Sequence, residues 1–292
     1  MKLLYTPTLL FFTFLLSAQY NYGLEVEQQD AKIEGKLNIN DGQKSIYIGE
    51  NAGINVVQSN FDNVFIGFES GMNALGSGNI NNTYVGSKAG RESYWDNSFN
   101  NAYIGANSGS NCQFCQNNTA IGSGAFSATT SGTWNTYIGY TAGYKNGRNS
   151  NVMIGGASGR NNNGAENVFI GLGSGMDNTS GFANIFIGFE AGRYINLSNS
   201  LAIENSNSIV PLIYGEFDND RAGINWDSSI PLPATLSVNG TLHISETAKL
   251  EPQTTAPSTC ITAAEHGLMY YDNSSTTHKL KVCTNAGWED LN

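Results

Sequence analysis

The sequence predicts an all-β protein: a parallel β-solenoid of about nine coils followed by a small β domain. Three observations carry this expectation. A phrase first met in clear form as NVFIGFESG at residues 63–71 returns in altered wording down more than half of the chain. Its first glycine falls at Gly49, Gly67, Gly86, Gly105, Gly122, Gly139, Gly155, Gly171 and Gly188, so successive repeats are 18, 19, 19, 17, 17, 16, 16 and 17 residues long. A near-constant period of this size means stacked coils, one per repeat, and is too short for helical-pair repeats. The second observation is alternation with period two before each glycine, the pattern of a strand. The third is composition. Charged residues make up 13% of the 292-residue chain, about half the ~25% of an ordinary domain. Asn, Ser, Thr and Gly replace them. Coils stacked ~4.8 Å apart repel like charges but let amides and hydroxyls bond along a column.

The chain opens with Lys2, an apolar run from Leu3 to Leu16, and small residues Ser17 and Ala18. This reads as a secretory signal peptide over 1–18. An uncleaved anchor is disfavoured because the run is shorter than the ~20 residues a spanning helix needs. Residues 19–44 contain Ile33, Leu37 and Ile39 at alternate positions and read as a strand that caps the first coil, since an open solenoid end exposes unpaired backbone.

The repeat domain spans 45–204. The residue before each glycine is Ile or Val, from Ile48 to Ile187, and two residues earlier stands Val64, Thr83, Thr136, Val168, Ile185 or an equivalent. These two positions share a face, which is assigned to the interior. Between them lies an aromatic column, Tyr47, Phe65, Tyr84, Tyr103, Tyr137, Phe169 and Phe186, interrupted by Ala120 and Met153. On this assignment the column faces outward, to be buried in an oligomer interface or to stack on sugars. The glycine provides the sharp turn that only a residue without Cβ makes cheaply. Three residues on comes Ala or Ser, then a second glycine in eight repeats, with Phe126 as the exception. An Asn precedes the strand at Asn63, Asn82, Asn101, Asn118, Asn135, Asn151, Asn167 and Asn184. It reads as turn chemistry with a side-chain ladder, or else as a ligand or glycan position.

Residues 205–240 hold Pro211, Pro231 and Pro233 and read as a connector with one or two strands. Residues 241–292 read as a small β meander. Tyr270, Tyr271 and Trp288 are either its core or a binding tip. The four cysteines form two pairs. Cys260 and Cys283 suit a disulfide staple in an exported chain. Cys112 and Cys115, in CQFC, could be a disulfide, a redox pair or half of a metal site.

The pattern N-x-[FY]-I-G-x-x-[AS]-G resembles the head repeat of trimeric autotransporter adhesins of the Yersinia adhesin type, over about residues 45–204. The resemblance implies a left-handed parallel β-roll with three chains side by side, and core and turn roles for Val64, Ile66, Gly67 and their equivalents. The family's small Ala position is mostly Tyr or Phe here, and the repeat is longer. A second stretch, SLAIENSNSIVPLIYGEFDNDRAGINW with ATLSVNGTLHI, is similar to the region after such repeats in bacterial fibre-like and tail-fibre-like proteins. Ser245 and Lys249 are a poor match to the self-cleaving chaperone domain that follows in many relatives, and read as a turn. No segment after 241 is expected to form the adhesins' membrane barrel.

No enzyme is expected. His243, His266 and His278 stand near no nucleophile or acidic motif, and the glycines serve turns rather than a phosphate loop. No cofactor or metal is expected either; Asp218 and Asp220 are a weak calcium candidate. The net charge of −10 argues against nucleic acid and anionic membranes. Two classes remain. One is a secreted or surface-exposed adhesin-like fibre, a homotrimer that meets a host or neighbouring surface. The other is a solenoid whose repeated face binds polysaccharide or, less favoured for want of a Thr-x-Thr array, ice.

Overall fold

A computed structural model describes residues 44–57, 60–94 and 98–245, and beyond them 247–250, 252–253, 255–256, 260, 262, 267–274 and 279–291. The predicted leader, the cap segment short of Lys44, His266 and His278 lie outside the described residues. Among those described, every regular element is a strand. In chain order they are β1 (Ile46–Ile48), β2 (Val64–Ile66), β3 (Thr83–Val85), β4 (Ala102–Ile104), β5 (Phe114–Gln116), β6 (Thr119–Ile121), β7 (Ser131–Thr133), β8 (Thr136–Ile138), β9 (Val152–Ile154) and β10 (Val168–Ile170). Then follow β11 (Ile185–Ile187), β12 (Ser200–Ile203), β13 (Ile213–Glu216), β14 (Arg221–Ile224), β15 (Leu236–Val238), β16 (Pro252–Gln253), β17 (Met269–Asp272), β18 (Lys279–Thr284) and β19 (Gly287–Asp290).

Thirteen strands make one sheet, in the order β1-β2-β3-β4-β6-β8-β9-β10-β11-β12-β13-β14-β15. The first ten run parallel, one from each coil, in a register that sets motif on motif: Phe65 pairs with Tyr84, and Ile66 with Val85. A tenth strand, β12, joins the nine expected although its coil lacks the glycine phrase. The segment expected as a connector continues the same sheet. Strands β13 and β14 turn back antiparallel, and β15 lies parallel to β14. A four-stranded sheet, β16-β17-β18-β19, forms the small C-terminal unit.

The interior is the reverse of the sequence assignment. The aromatic column is inside: Phe65, Tyr84, Tyr103, Tyr137, Phe169 and Phe186 have no exposed surface, and Tyr47 packs on the cluster's end. Rings of neighbouring coils stack at 4.8 Å for Phe65–Tyr84, 5.0 Å for Tyr84–Tyr103 and 5.0 Å for Phe169–Phe186, within 5° of parallel. The Ile file faces out. The physical reason is the second glycine. A Cβ added at Gly71 would lie 2.4 Å from the Phe65 ring, and one at Gly90 2.4 Å from Tyr84. The ring therefore lies flat on bare backbone from the opposite wall, and a flat ring fills a slot that a branched Ile cannot.

One coil proves the pairing of ring and glycine. Where the column has Ala120, the second glycine is replaced by Phe126, which is fully buried. Its ring enters the same slot from the other wall, 4.8 Å from Tyr137 and 6.2 Å from Tyr103. Small and large have exchanged places and the core stays continuous.

The Asn column is a buried ladder. Each side-chain Oδ1 accepts the backbone N–H of the next coil's Asn, from Asn82 on Asn63 to Asn184 on Asn167, at 2.9–3.1 Å. Ser45 begins it by accepting from Asn63, and Ser200 ends it by donating to Asn184. Nδ2 reaches across the coil, as from Asn118 to the Gly132 carbonyl at 2.8 Å. This satisfies backbone groups that a narrow coil buries and water cannot reach. A second buried amide column, Asn146, Asn162 and Asn178, runs through the later coils.

Candidate functional site: the outward aliphatic face

The outer surface of the sheet is built from the residues flanking each buried ring. The file before the glycine runs Ile48, Ile66, Val85, Ile104, Ile121, Ile138, Ile154, Ile170 and Ile187. The register carries it on through Ile203, Ile213, Ile224 and Val238. Thirteen consecutive strands thus present a β-branched aliphatic residue at one position, and none of the thirteen is buried. Ile48 is 48% exposed and Ile104 40%. The file persists through β13 to β15, where the chain reverses direction and the glycine phrase has ended. A parallel file two residues away runs from Ile46 and Val64 through Thr83, Ala102, Thr119, Thr136, Val152 and Val168 to Ile185 and Leu201, all half-buried. Beside the Ile file, the position after the glycine adds Phe68, Tyr140, Leu172 and Phe189, all exposed.

The turn glycines hold this face flat. Gly105, at φ +131°, lies so close to the next coil that a Cβ would meet the Gly122 carbonyl carbon at 2.7 Å. All nine predicted turn glycines have φ between +122° and +137°. The ion pairs lie on the flanks, where Arg91 pairs with Glu69 at 3.0 Å and Arg193 with Asp177 at 3.1 Å and with Glu190.

The remaining predicted site residues fall elsewhere. The column offered as a surface for sugars or for partner chains is the core of a single chain, so it can do neither without unfolding. Burial holds the Tyr84, Tyr103 and Tyr137 hydroxyls well above the usual phenol range. Cys112 and Cys115 are disulfide-bonded and buried in the coil interior. Cys260 and Cys283 are bonded in the small sheet. Beside that bond Tyr270, nearly buried, meets the Trp288 ring edge-on at 4.8 Å, as a core pair does. Tyr271 points to the other face of β17. On the Tyr270 face, Lys279 and Lys281 share Asp290, and Lys281 lies 3.8 Å from Asp272. These hydrogen bonds raise Lys281 and depress Asp290, while Ser274 depresses Asp272. Asp218 and Asp220 sit in the exposed turn between β13 and β14. Among the described residues no group of three or more His, Cys, Asp or Glu is placed to hold a metal ion. No described helix is long and apolar enough to cross a membrane.

No protein-family model, curated protein or solved structure matches this chain.

Sequence reasoning missed the outward Ile file, its continuation past residue 204, and the exposed aromatics Trp134 and Tyr140. The signal was present. Ala120 and Phe126 break their two columns in the same coil, which marks those columns as sharing one interior space.

Proposed function

We propose that this chain is a non-enzymatic, exported structural fibre protein of adhesin-like character, whose copies pack side by side along the aliphatic face. The observation that carries the reading is the unbroken file of thirteen outward Ile and Val residues, six of them exposed and seven half-buried. Twelve strand spacings of ~4.8 Å make the face roughly 60 Å long, and the width from the Thr/Val file to the residue after the glycine is about 13 Å. That is roughly 800 Å² per copy, the size of a standard stable interface. The Ile file is unbroken and its flanks are mixed, with Thr83, Thr119 and Thr136 on one side and Glu50, Ser87 and Ser123 among the apolar residues on the other; an apolar file of this length on one chain marks a contact surface. The likeness of the repeat to the Yersinia-type adhesin heads favours three copies, and the likeness of residues 200–244 to fibre-like proteins favours an extended surface structure. Its role would be reach and display toward a host or neighbouring surface.

The test is the solution mass of residues 19–292 by light scattering, together with Ile121→Glu. A mass three times that of the chain, lowered by the substitution while the β-sheet circular dichroism is unchanged, is the expected result. A monomeric wild type would refute the assembly. It would leave a flat β-branched face in water, and adsorption to polysaccharide or ice would be measured next.

A further inference from the structure

Strand β8 differs from its neighbours at both ends. Along residues 134–140, Trp134, Thr136, Ile138 and Tyr140 point outward while Asn135 and Tyr137 are buried. Trp134 and Tyr140 are each 68% exposed, more than any other large hydrophobic side chain among the described residues. They bracket the aliphatic face at one height, Trp134 beyond the Thr/Val file and Tyr140 beyond the Ile file. Six extended residues hold their backbones up to about 20 Å apart, so one copy cannot bring them together.

Trp134 is also out of place in its own file. The equivalent residues in other coils include Asp62, Asn81, Asn100, Ser150 and Glu166. All sit in the left-handed region, with φ of 57° to 61°. Asn and Asp tolerate that conformation, whereas a bulky side chain rarely adopts it. Trp134 adopts it at φ 61° and turns its ring to water. Within the single chain its side chain stays 68% exposed.

Resting on the assembly proposed above, we infer that Trp134 of one copy packs against Tyr140 of the next, and that this contact fixes the copies parallel and in register. In a closed ring whose axis runs along the rod, one edge of each face meets the opposite edge of its neighbour at the same height. Residues at opposite edges of one strand then meet without any sliding. An antiparallel pair would instead bring like edges together at inverted heights. Rigid aromatic side chains at such joints carry a large share of interface energy.

The experiment uses residues 19–292 carrying Trp134→Cys, Tyr140→Cys or both. The four native cysteines are all bonded, so a short bismaleimide reagent reaches only introduced thiols. Light scattering is run first, then a denaturing gel. Covalent oligomers are expected from the double variant alone. An assembled mass without cross-linking, or cross-linking in a single variant, overturns the inference and leaves the assembly standing. A monomeric wild type defeats the assembly itself, and the inference with it. If the cysteine variants dissociate, Trp134→Ala and Tyr140→Ala decide by the concentration dependence of mass. Each should weaken association tenfold or more, and the pair no more than either alone; additive weakening would overturn the contact.

Discussion

Exchanging the side chains at positions 120 and 126 tests the interior of the coil most sharply. Phe126→Gly removes a fully buried ring between Tyr103 and Tyr137. Loss of a buried Phe costs about 3–5 kcal/mol. Against this, Gly relieves a left-handed backbone at φ +54°, worth about 1 kcal/mol, so the net loss should be about 2–4 kcal/mol. Ala120→Phe alone forces a second ring into an occupied slot and should cost about 1–3 kcal/mol. The double variant rebuilds the arrangement of the other coils, a ring on the strand lying flat on a glycine. It should fall within about 1 kcal/mol of the parent, or above it by the relieved strain. The expected coupling is therefore about 3–7 kcal/mol in favour of the double variant, far outside the few tenths at which independent sites add. Urea unfolding followed by circular dichroism measures all four corners of the cycle. Additive losses would mean that the two side chains do not share a space, and the interior described here would be wrong.

Three further outcomes follow from the same geometry. Gly105→Ala puts a Cβ against the Gly122 carbonyl at a φ that L-residues avoid, and should cost more than about 3 kcal/mol. Gly156→Ala, with φ outside the left-handed region and its nearest atom 4.0 Å away, should be nearly neutral; thermal unfolding of the two compares them directly. Asn118→Ala strands the buried Asn135 N–H and the Gly132 carbonyl, a loss of about 2–4 kcal/mol at ~1–3 kcal/mol per orphaned group, partly relieved by local adjustment; a midpoint unchanged in urea would rule the ladder out as a source of stability. For pH, the buried phenols of Tyr84, Tyr103 and Tyr137 are raised in the fold by burial, so the folded chain keeps protons that the unfolded chain gives up above its ordinary phenol value of ~10. Stability from these groups is full below pH ~10 and should fall above it by about 1.4 kcal/mol per tyrosine per pH unit, with the share of tyrosinate absorbance owed to these three appearing only on unfolding; the full signal of all 14 tyrosines in the folded protein would refute the burial.

Much of the architecture is legible in the residues because a solenoid repeats its constraints. The glycine period predicts the coil, the alternation predicts the strand, and the Asn file predicts the ladder. Which face is inward is harder, since Ile and Tyr both suit a core and period two only says that they oppose each other. Hydrophobicity favours Ile for the inside; space decides otherwise, because Gly71 and its equivalents make a slot one ring thick. The continuation of the face through β13 to β15 is hidden for another reason. Antiparallel pairing places Ile213 and Ile224 on the Ile file with no shared spacing to reveal it. Of the strong features of the proposed contact, Trp134 occurs once in its file and carries no period, and Tyr140 shares its position with Phe68, Leu172 and Phe189 but also with Glu50, Ser87 and Ser123, so no constant residue marks it.

The serines at the two ends of the amide ladder have a consequence for size. A unit that accepts its neighbour on one side and offers the same groups on the other has no natural stopping point; that is how endless fibrils grow. Here the supply of carboxamides stops at Ser200, whose hydroxyl donates to the Ser198 carbonyl and lies by the Tyr214 hydroxyl of the next strand, where no further Asn follows. The following strand pairs antiparallel to β12, so the parallel register of the coils also ends there. The stack is thereby counted off by the gene: a rod of set length, incapable of recruiting another coil at that end by the rule that built it.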